Sequence, residues 1–215
     1  MQIGIGEVIQ IVGRSLYVTV TATLIAMFVG IILSIIIYLK DFKLKKQFML
    51  VVNALMSTPP VVMGLVVFLM LSKKGPLGSF ELLFTCPAMI IAQVLLLIPM
   101  SISLIVDALN KCGEDILITC KILQVEKFQQ KWIFFKELKS YLTTILITVF
   151  GRGISEVGAV MLVGGNIRGK TRVMTTYISQ STSMGNFGNS LIIAAILLTI
   201  SFASTFIIRR LQRDI

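Results

Sequence analysis

Five stretches of this sequence, residues 17–39, 48–71, 82–106, 141–163 and 190–208, run almost unbroken in apolar residues. A helix rises about 1.5 Å per residue and a bilayer core is about 30 Å thick, so each stretch is long enough to cross. Lipid cannot satisfy backbone polar groups, which leaves helices and closed barrels as spanning structures. Barrel strands would read as short alternating segments. The sequence therefore predicts an all-α integral membrane protein with five transmembrane helices. Four of the stretches hold no Lys, Arg, Asp or Glu; the fourth carries Arg152 and Glu156.

Composition agrees. Only 14% of the 215 residues are charged, against roughly 25% in a soluble domain. The net charge of +10 would suggest nucleic acid in a soluble protein. Here the basic residues follow topology instead. Lys40, Lys43, Lys45 and Lys46 lie between the first two stretches, Lys111, Lys121, Lys127, Lys131, Lys136 and Lys139 between the third and fourth, and Arg209, Arg210 and Arg213 follow the fifth. These fall on one side if five helices alternate. The other side receives Arg14, Lys73, Lys74, Arg168, Lys170 and Arg172. The positive-inside rule then places the N-terminus outside and the C-terminus in the cytoplasm. The first stretch has no cationic start and ends on Tyr38-Leu39-Lys40 without a small-residue cleavage pattern, so a retained helix is expected. No linker or internal repeat divides the chain, and a single domain over residues 1–215 follows.

The segment 107–140 is polar overall but carries apolar residues at a helical period, Ile116, Leu117, Cys120 and Leu123, then a cluster of Trp132, Phe134, Phe135 and Leu138. That pattern predicts helix, turn, helix on the cytoplasmic side. Its apolar face is covered either by a docked partner or by lipid headgroups. The segment 164–189 is rich in Gly, Ser, Thr and Asn, and reads as a re-entrant or gate segment or as a solvated loop.

Three features carry chemistry. Arg152 and Glu156 are four residues apart, so a helix places them on one face as a pair. An ionisable residue in a span costs roughly 2.5–3.5 kcal/mol on insertion scales. The pair either shapes a substrate path or fixes helix packing. Gly151, Ser155 and Ala159 form a stripe of small residues suited to a close helix crossing. Ser57-Thr58-Pro59-Pro60 interrupts the second stretch, because two prolines remove two backbone donors. Freed carbonyls and hydroxyls there line a wet path or accompany a packing kink. Pro87 and Pro99 repeat the feature more weakly. The sequence has no histidine, its three cysteines Cys86, Cys112 and Cys120 match no metal or redox spacing, and Gly151-Arg152-Gly153 lacks the remaining parts of a nucleotide loop.

Thr58-Pro59-Pro60-Val61-Val62-Met63-Gly64-Leu65, Gly75-Pro76-Leu77-Gly78, Ile90-Ile91-Ala92-Gln93, Gly151 through Gly158 and Val163-Gly164-Gly165-Asn166-Ile167 together resemble the membrane subunit of tungstate importers of the ATP-binding-cassette class. Molybdate and sulfate permeases carry looser versions. The resemblance runs over most of the chain. It implies a type I importer permease fold, a homodimer in the plasma membrane of a bacterium or archaeon, two cytoplasmic ATPase subunits and an extracytoplasmic oxyanion-binding protein, with no nucleic acid. It implies no cofactor on this chain, with ATP and Mg held by the ATPase. Such permeases dock on the ATPase through a cytoplasmic EAA loop. The best fit places Ile118 at its glutamate, Thr119 and Cys120 at its alanines, Gln124 at its glycine and Glu137 at its proline. The implied coupling residues are Thr119, Cys120, Leu123, Gln124, Val125, Glu126, Lys127, Phe128 and Gln129. The implied path or gate residues are Ser57, Thr58, Pro59, Pro60, Arg152, Ser155, Glu156, Gly158, Gly164, Gly165 and Asn166. The rival readings are a self-sufficient anion channel or carrier, and a membrane enzyme, for which no nucleophile and base are visible.

Overall fold

A computed structural model describes residues 3–39, 43–124 and 127–213, which are helical apart from their connections. The long helices are α1 (Ile5–Leu39), α4 (Cys86–Ile122), α5 (Lys127–Ile154) and α8 (Phe187–Arg213). Among the described residues the shorter helices are α2 (Lys45–Met56), α3 (Pro60–Leu71), α6 (Gly158–Gly164) and α7 (Met174–Ser183), with one 3-10 turn at Gly78–Phe80. Parts of α1, α4 and α8 are each long and apolar enough to cross a membrane alone. The pairs α2–α3 and α5–α6 qualify only as bent pairs, at 97° and 55°. The described residues thus hold three to five candidate spans.

The second apolar stretch is accordingly two helices nearly at right angles. The first helix starts at Ile5 and not near residue 17, and its opening turns bury Ile11 and Ser15 although Glu7, Gln10 and Arg14 fall among them. The segment 107–140 contains no separate pair of helices: α4 runs on to Ile122 and α5 starts at Lys127, so the turn lies between the tips of two long helices. Helix α7 lies within 164–189, with Met174, Thr175, Thr176 and Ser181 buried.

Burial follows the logic of a lipid solvent. Helix α1 buries small and polar residues, Ser15, Thr19, Ala22, Thr23, Ala26, Gly30 and Ser34. It exposes Leu24, Phe28, Ile32 and Ile36. Small residues let backbones approach where hydrophobicity itself provides no drive between helices. A Cβ on Gly30 would come within 2.6 Å of Ser101 Cβ, and Ser34 Oγ donates to Ile102 O at 3.2 Å. Helix α4 is the central element, with 61% of its apolar window buried, whereas α8 has 11%. The largest core joins Val18, Ala22 and Ala26 of α1 to Met89, Leu97, Ile105 and Leu109 of α4, and to Ile145 and Val149 of α5. Pro87 sits in the first turn of α4, where a missing donor costs nothing. Pro99 lies inside α4 without ending it.

Candidate functional site

The break between α2 and α3 is capped by its own sequence. In an unbroken helix the donors for Leu55 O and Met56 O would come from residues 59 and 60, which are prolines. Thr58 N instead reaches Leu55 O at 3.1 Å. Ser57 Oγ donates to Asn53 O and Thr58 Oγ1 to Ala54 O, both at 3.3 Å. Pro59 is extended at φ −57° and ψ 129°, and Pro60 opens α3. Ser57 and Pro59 are exposed, and Thr58 and Pro60 half-buried.

The break between α5 and α6, at residues 155–157, is compensated from three directions. Gln93 of α4 donates through Nε2 to Gly153 O at 2.9 Å. Thr175 of α7 donates through Oγ1 to Glu156 O at 2.7 Å. The Glu156 carboxylate accepts from Ala159 N at 3.1 Å, satisfying a free donor at the start of α6. Its other oxygen accepts from Arg152 Nη1 at 2.9 Å. Glu156 is 4% exposed and Arg152 40%. The acid is therefore buried and fully partnered, while the guanidinium turns one side outward.

The two breaks meet. A Cβ on Gly158 would approach Val61 Cγ2 to 2.6 Å, and one on Gly64 would approach Ala159 Cα to 2.5 Å. Helices α3 and α6 therefore cross with backbones in contact, and Gly158, just past the second break, meets Val61, just past the first. The stripe of small residues predicted across Gly151, Ser155 and Ala159 is not continuous. The break divides it: Gly151 has open space beside it and Ser155 is exposed, whereas Ala159 packs on Gly64.

Gly164, Gly165 and Asn166 lie at the far end of α6, about 10 Å along its axis. They terminate the helix. Gly165 takes a left-handed φ of 69° and its N–H reaches Met161 O at 2.9 Å. Asn166, also at positive φ, is buried and donates to Gln180 Oε1 at 2.9 Å.

The coupling residues predicted around the inner turn divide by burial. Cys120 is 3% exposed and faces the bundle. Thr119, Gln124 and Gln129 are exposed. Leu123 is 67% exposed, and its neighbours Ile118 and Ile122 are 59% and 75%. Gln124 takes φ 50° as α4 ends. Val125 and Glu126 lie outside the described residues, as do the side chains of Lys127 and Phe128.

Sequence reasoning missed the supports. Gln93 is the sole amide in its apolar stretch, and Thr19 and Thr23 are spaced by one turn in theirs; polar residues in such runs are the signal that could have found them. It also missed a clamp at the other end of the bundle. Glu7 accepts from Arg168 Nη2 at 2.7 Å and from Arg172 Nη1 at 3.4 Å. The hydrogen bond from Arg168 to Glu7, and then the Glu7 charge, raise the Arg168 pKa above its ordinary value.

Residues 14–215 match the family described as binding-protein-dependent transport system inner membrane component. The chain is 44% identical over 97% of its length to the tungstate uptake system permease protein TupB of Peptoclostridium acidaminophilum, covering 91% of that protein. It is 35% identical to the TupB protein of Campylobacter jejuni, over 80% of this chain and 72% of that one. It is also 35% identical to a probable anion ABC transporter permease of Haloferax volcanii, over 89% and 85%. A chain from the solved inward-facing MetNI methionine ABC transporter superposes with a TM-score of 0.73 at 13% identity, over 96% of this chain and 95% of that one. The fold is shared with that transporter chain. The family match over nearly the whole chain, with apolar spans to suit it, makes this protein a multi-pass inner membrane component of a binding-protein-dependent ABC transport system.

Proposed function

We propose that the chain is the permease subunit of an ATP-driven importer whose cargo is an oxyanion, tungstate before molybdate or sulfate. The observation that carries the cargo is the 44% identity, over 97% of the chain, to a tungstate uptake permease. A probable sulfate transport system permease of Marchantia polymorpha is more distant, at 26%. The complex consists of two copies of this chain, two cytoplasmic ABC ATPase subunits that hold ATP and Mg, and an extracytoplasmic oxyanion-binding protein. The chain is one permease domain with five spans in the plasma membrane of a bacterium or archaeon, its N-terminus outside and its C-terminus inside. It hydrolyses nothing itself and binds no cofactor of its own.

The geometry supports a division of labour. The adjoining breaks form an elbow on the translocation path, where the outward side of Arg152 offers positive potential to an anion. Buried Glu156 holds that guanidinium and does not itself face the cargo. Gly164, Gly165 and Asn166 act at the outer end of the path, as the terminus of α6. The exposed apolar tip of Ile118, Ile122 and Leu123, with Thr119 and Gln124, docks on the ATPase. ATP-driven closure of the two ATPases moves that tip, and the long helices α4 and α5 carry the motion to the elbow.

Uptake in cells lacking this chain tests the cargo. Restoring the chain should restore tungstate accumulation more than that of molybdate or sulfate. Equal tungstate uptake with and without it contradicts the assignment.

A further inference from the structure

Beside the α5–α6 break lies a small void of about 10 Å³, lined by Ser15, Thr19, Gln93, Glu156 and Thr175 together with four apolar residues. We propose that this void is a binding site for one ordered water molecule, which ties α1 and α7 to Gln93 of α4 behind the break. Three observations carry it.

The first is an unmatched acceptor. Gln93 is 3% exposed and its Oε1 has no hydrogen-bond partner among the described residues. The amide orientation is fixed by its other end, since Nε2 faces the Gly153 carbonyl at 2.9 Å and an inverted amide would set two oxygens against each other. Oε1 therefore calls for a donor, since a buried acceptor left without one is destabilising.

The second is size. A cavity needs about 10–15 Å³ of such volume to hold a water, so this one holds a single molecule. A tetrahedral oxyanion does not fit, which separates this site from the cargo path. A cation is disfavoured by Arg152, whose guanidinium already satisfies one Glu156 oxygen while Ala159 N–H satisfies the other.

The third is the supply of partners. Thr175 Oγ1 has spent its proton on Glu156 O and can still accept. Ser15 Oγ has spent its proton on Ile11 O at 2.9 Å and accepts from Met174 N at 2.7 Å. Thr19, 2% exposed, lines the same void and carries a hydroxyl able to donate. A water donating to Gln93 Oε1 and Thr175 Oγ1 and accepting from Thr19 makes three hydrogen bonds, the usual number for a buried water.

A map of the assembled transporter at a resolution that shows ordered water tests this. The expected result is a peak about 2.7–3.2 Å from Gln93 Oε1. In the Thr19→Val variant that peak should disappear while the Gln93–Gly153 bond stays. A clear map with no peak beside Gln93 Oε1 overturns the proposal, as does a peak unchanged by Thr19→Val. A peak with five or six oxygens at about 2.4 Å identifies a cation and overturns it too. If Thr19→Val does not assemble, Thr19→Ser, which keeps the hydroxyl, should retain the peak; its loss there counts against the site.

Discussion

Glu156 shows how one residue in a span is made tolerable. Its carboxylate serves two donors, Arg152 Nη1 and Ala159 N, and its backbone carbonyl takes a third from Thr175. Glu156→Ala removes the first two at once and leaves a cation and a helix terminus unserved. The expected loss is about 1–3 kcal/mol, discounted from the buried-pair range because Arg152 is 40% exposed. Thermal unfolding of the purified transporter would register it, with Glu156→Gln losing less because its amide oxygen still accepts from Ala159. Arg152→Gln is expected to lower anion transport roughly tenfold while leaving the fold in place, the effect of about 1.4 kcal/mol at the barrier. Transport at the wild-type rate in Arg152→Gln would remove that residue from the path. The Arg–Glu pairing was legible from the four-residue spacing. The surroundings were not, because Gln93 and Thr175 reach Glu156's break from 60 or so residues upstream and nearly 20 downstream, a juxtaposition that local pattern cannot encode.

At the scale of elements, two helix breaks set the geometry of the bundle. The prolines announced the first break, though not its 97° angle, which depends on α3 finding α6. The second break has no proline, and a glycine-flanked apolar run reads equally well as one straight span. Its contacts decide the matter: Gly64 and Gly158 allow α3 and α6 to touch through their backbones. Gly64→Val must push those helices apart and should cost about 1–3 kcal/mol, measurable as a lower unfolding temperature. Pro59→Ala with Pro60→Ala returns two donors to α2 and α3, and should reduce transport more than stability. At the inner turn, the expected helices proved to be continuations of α4 and α5; the side chains of Ile116, Leu117, Trp132, Phe134 and Phe135 lie outside the described residues, and Leu123 is exposed where Cys120 is buried. Cys120, at an alanine position of the loop motif, faces inward, and Ile118, Ile122 and Leu123 form the exposed edge. Ile122→Glu with Leu123→Glu should therefore abolish co-purification of the ATPase. Unchanged co-purification would place the docking surface elsewhere.

At the scale of the molecule, the sequence established the solvent and hence the class, because apolar runs of this length have few other uses. The number of spans was harder to read: among the described residues three helices qualify alone, and two further candidates exist only as bent pairs. The proposed function requires that this bundle move its anion only when driven by a separate ATPase through the α4–α5 tip. Reconstitution in proteoliposomes tests it most directly, comparing the chain alone with the chain plus ATPase and binding protein. Tungstate should accumulate only in the complete assembly supplied with ATP and Mg. Tungstate flux through the chain alone, without nucleotide, would contradict it.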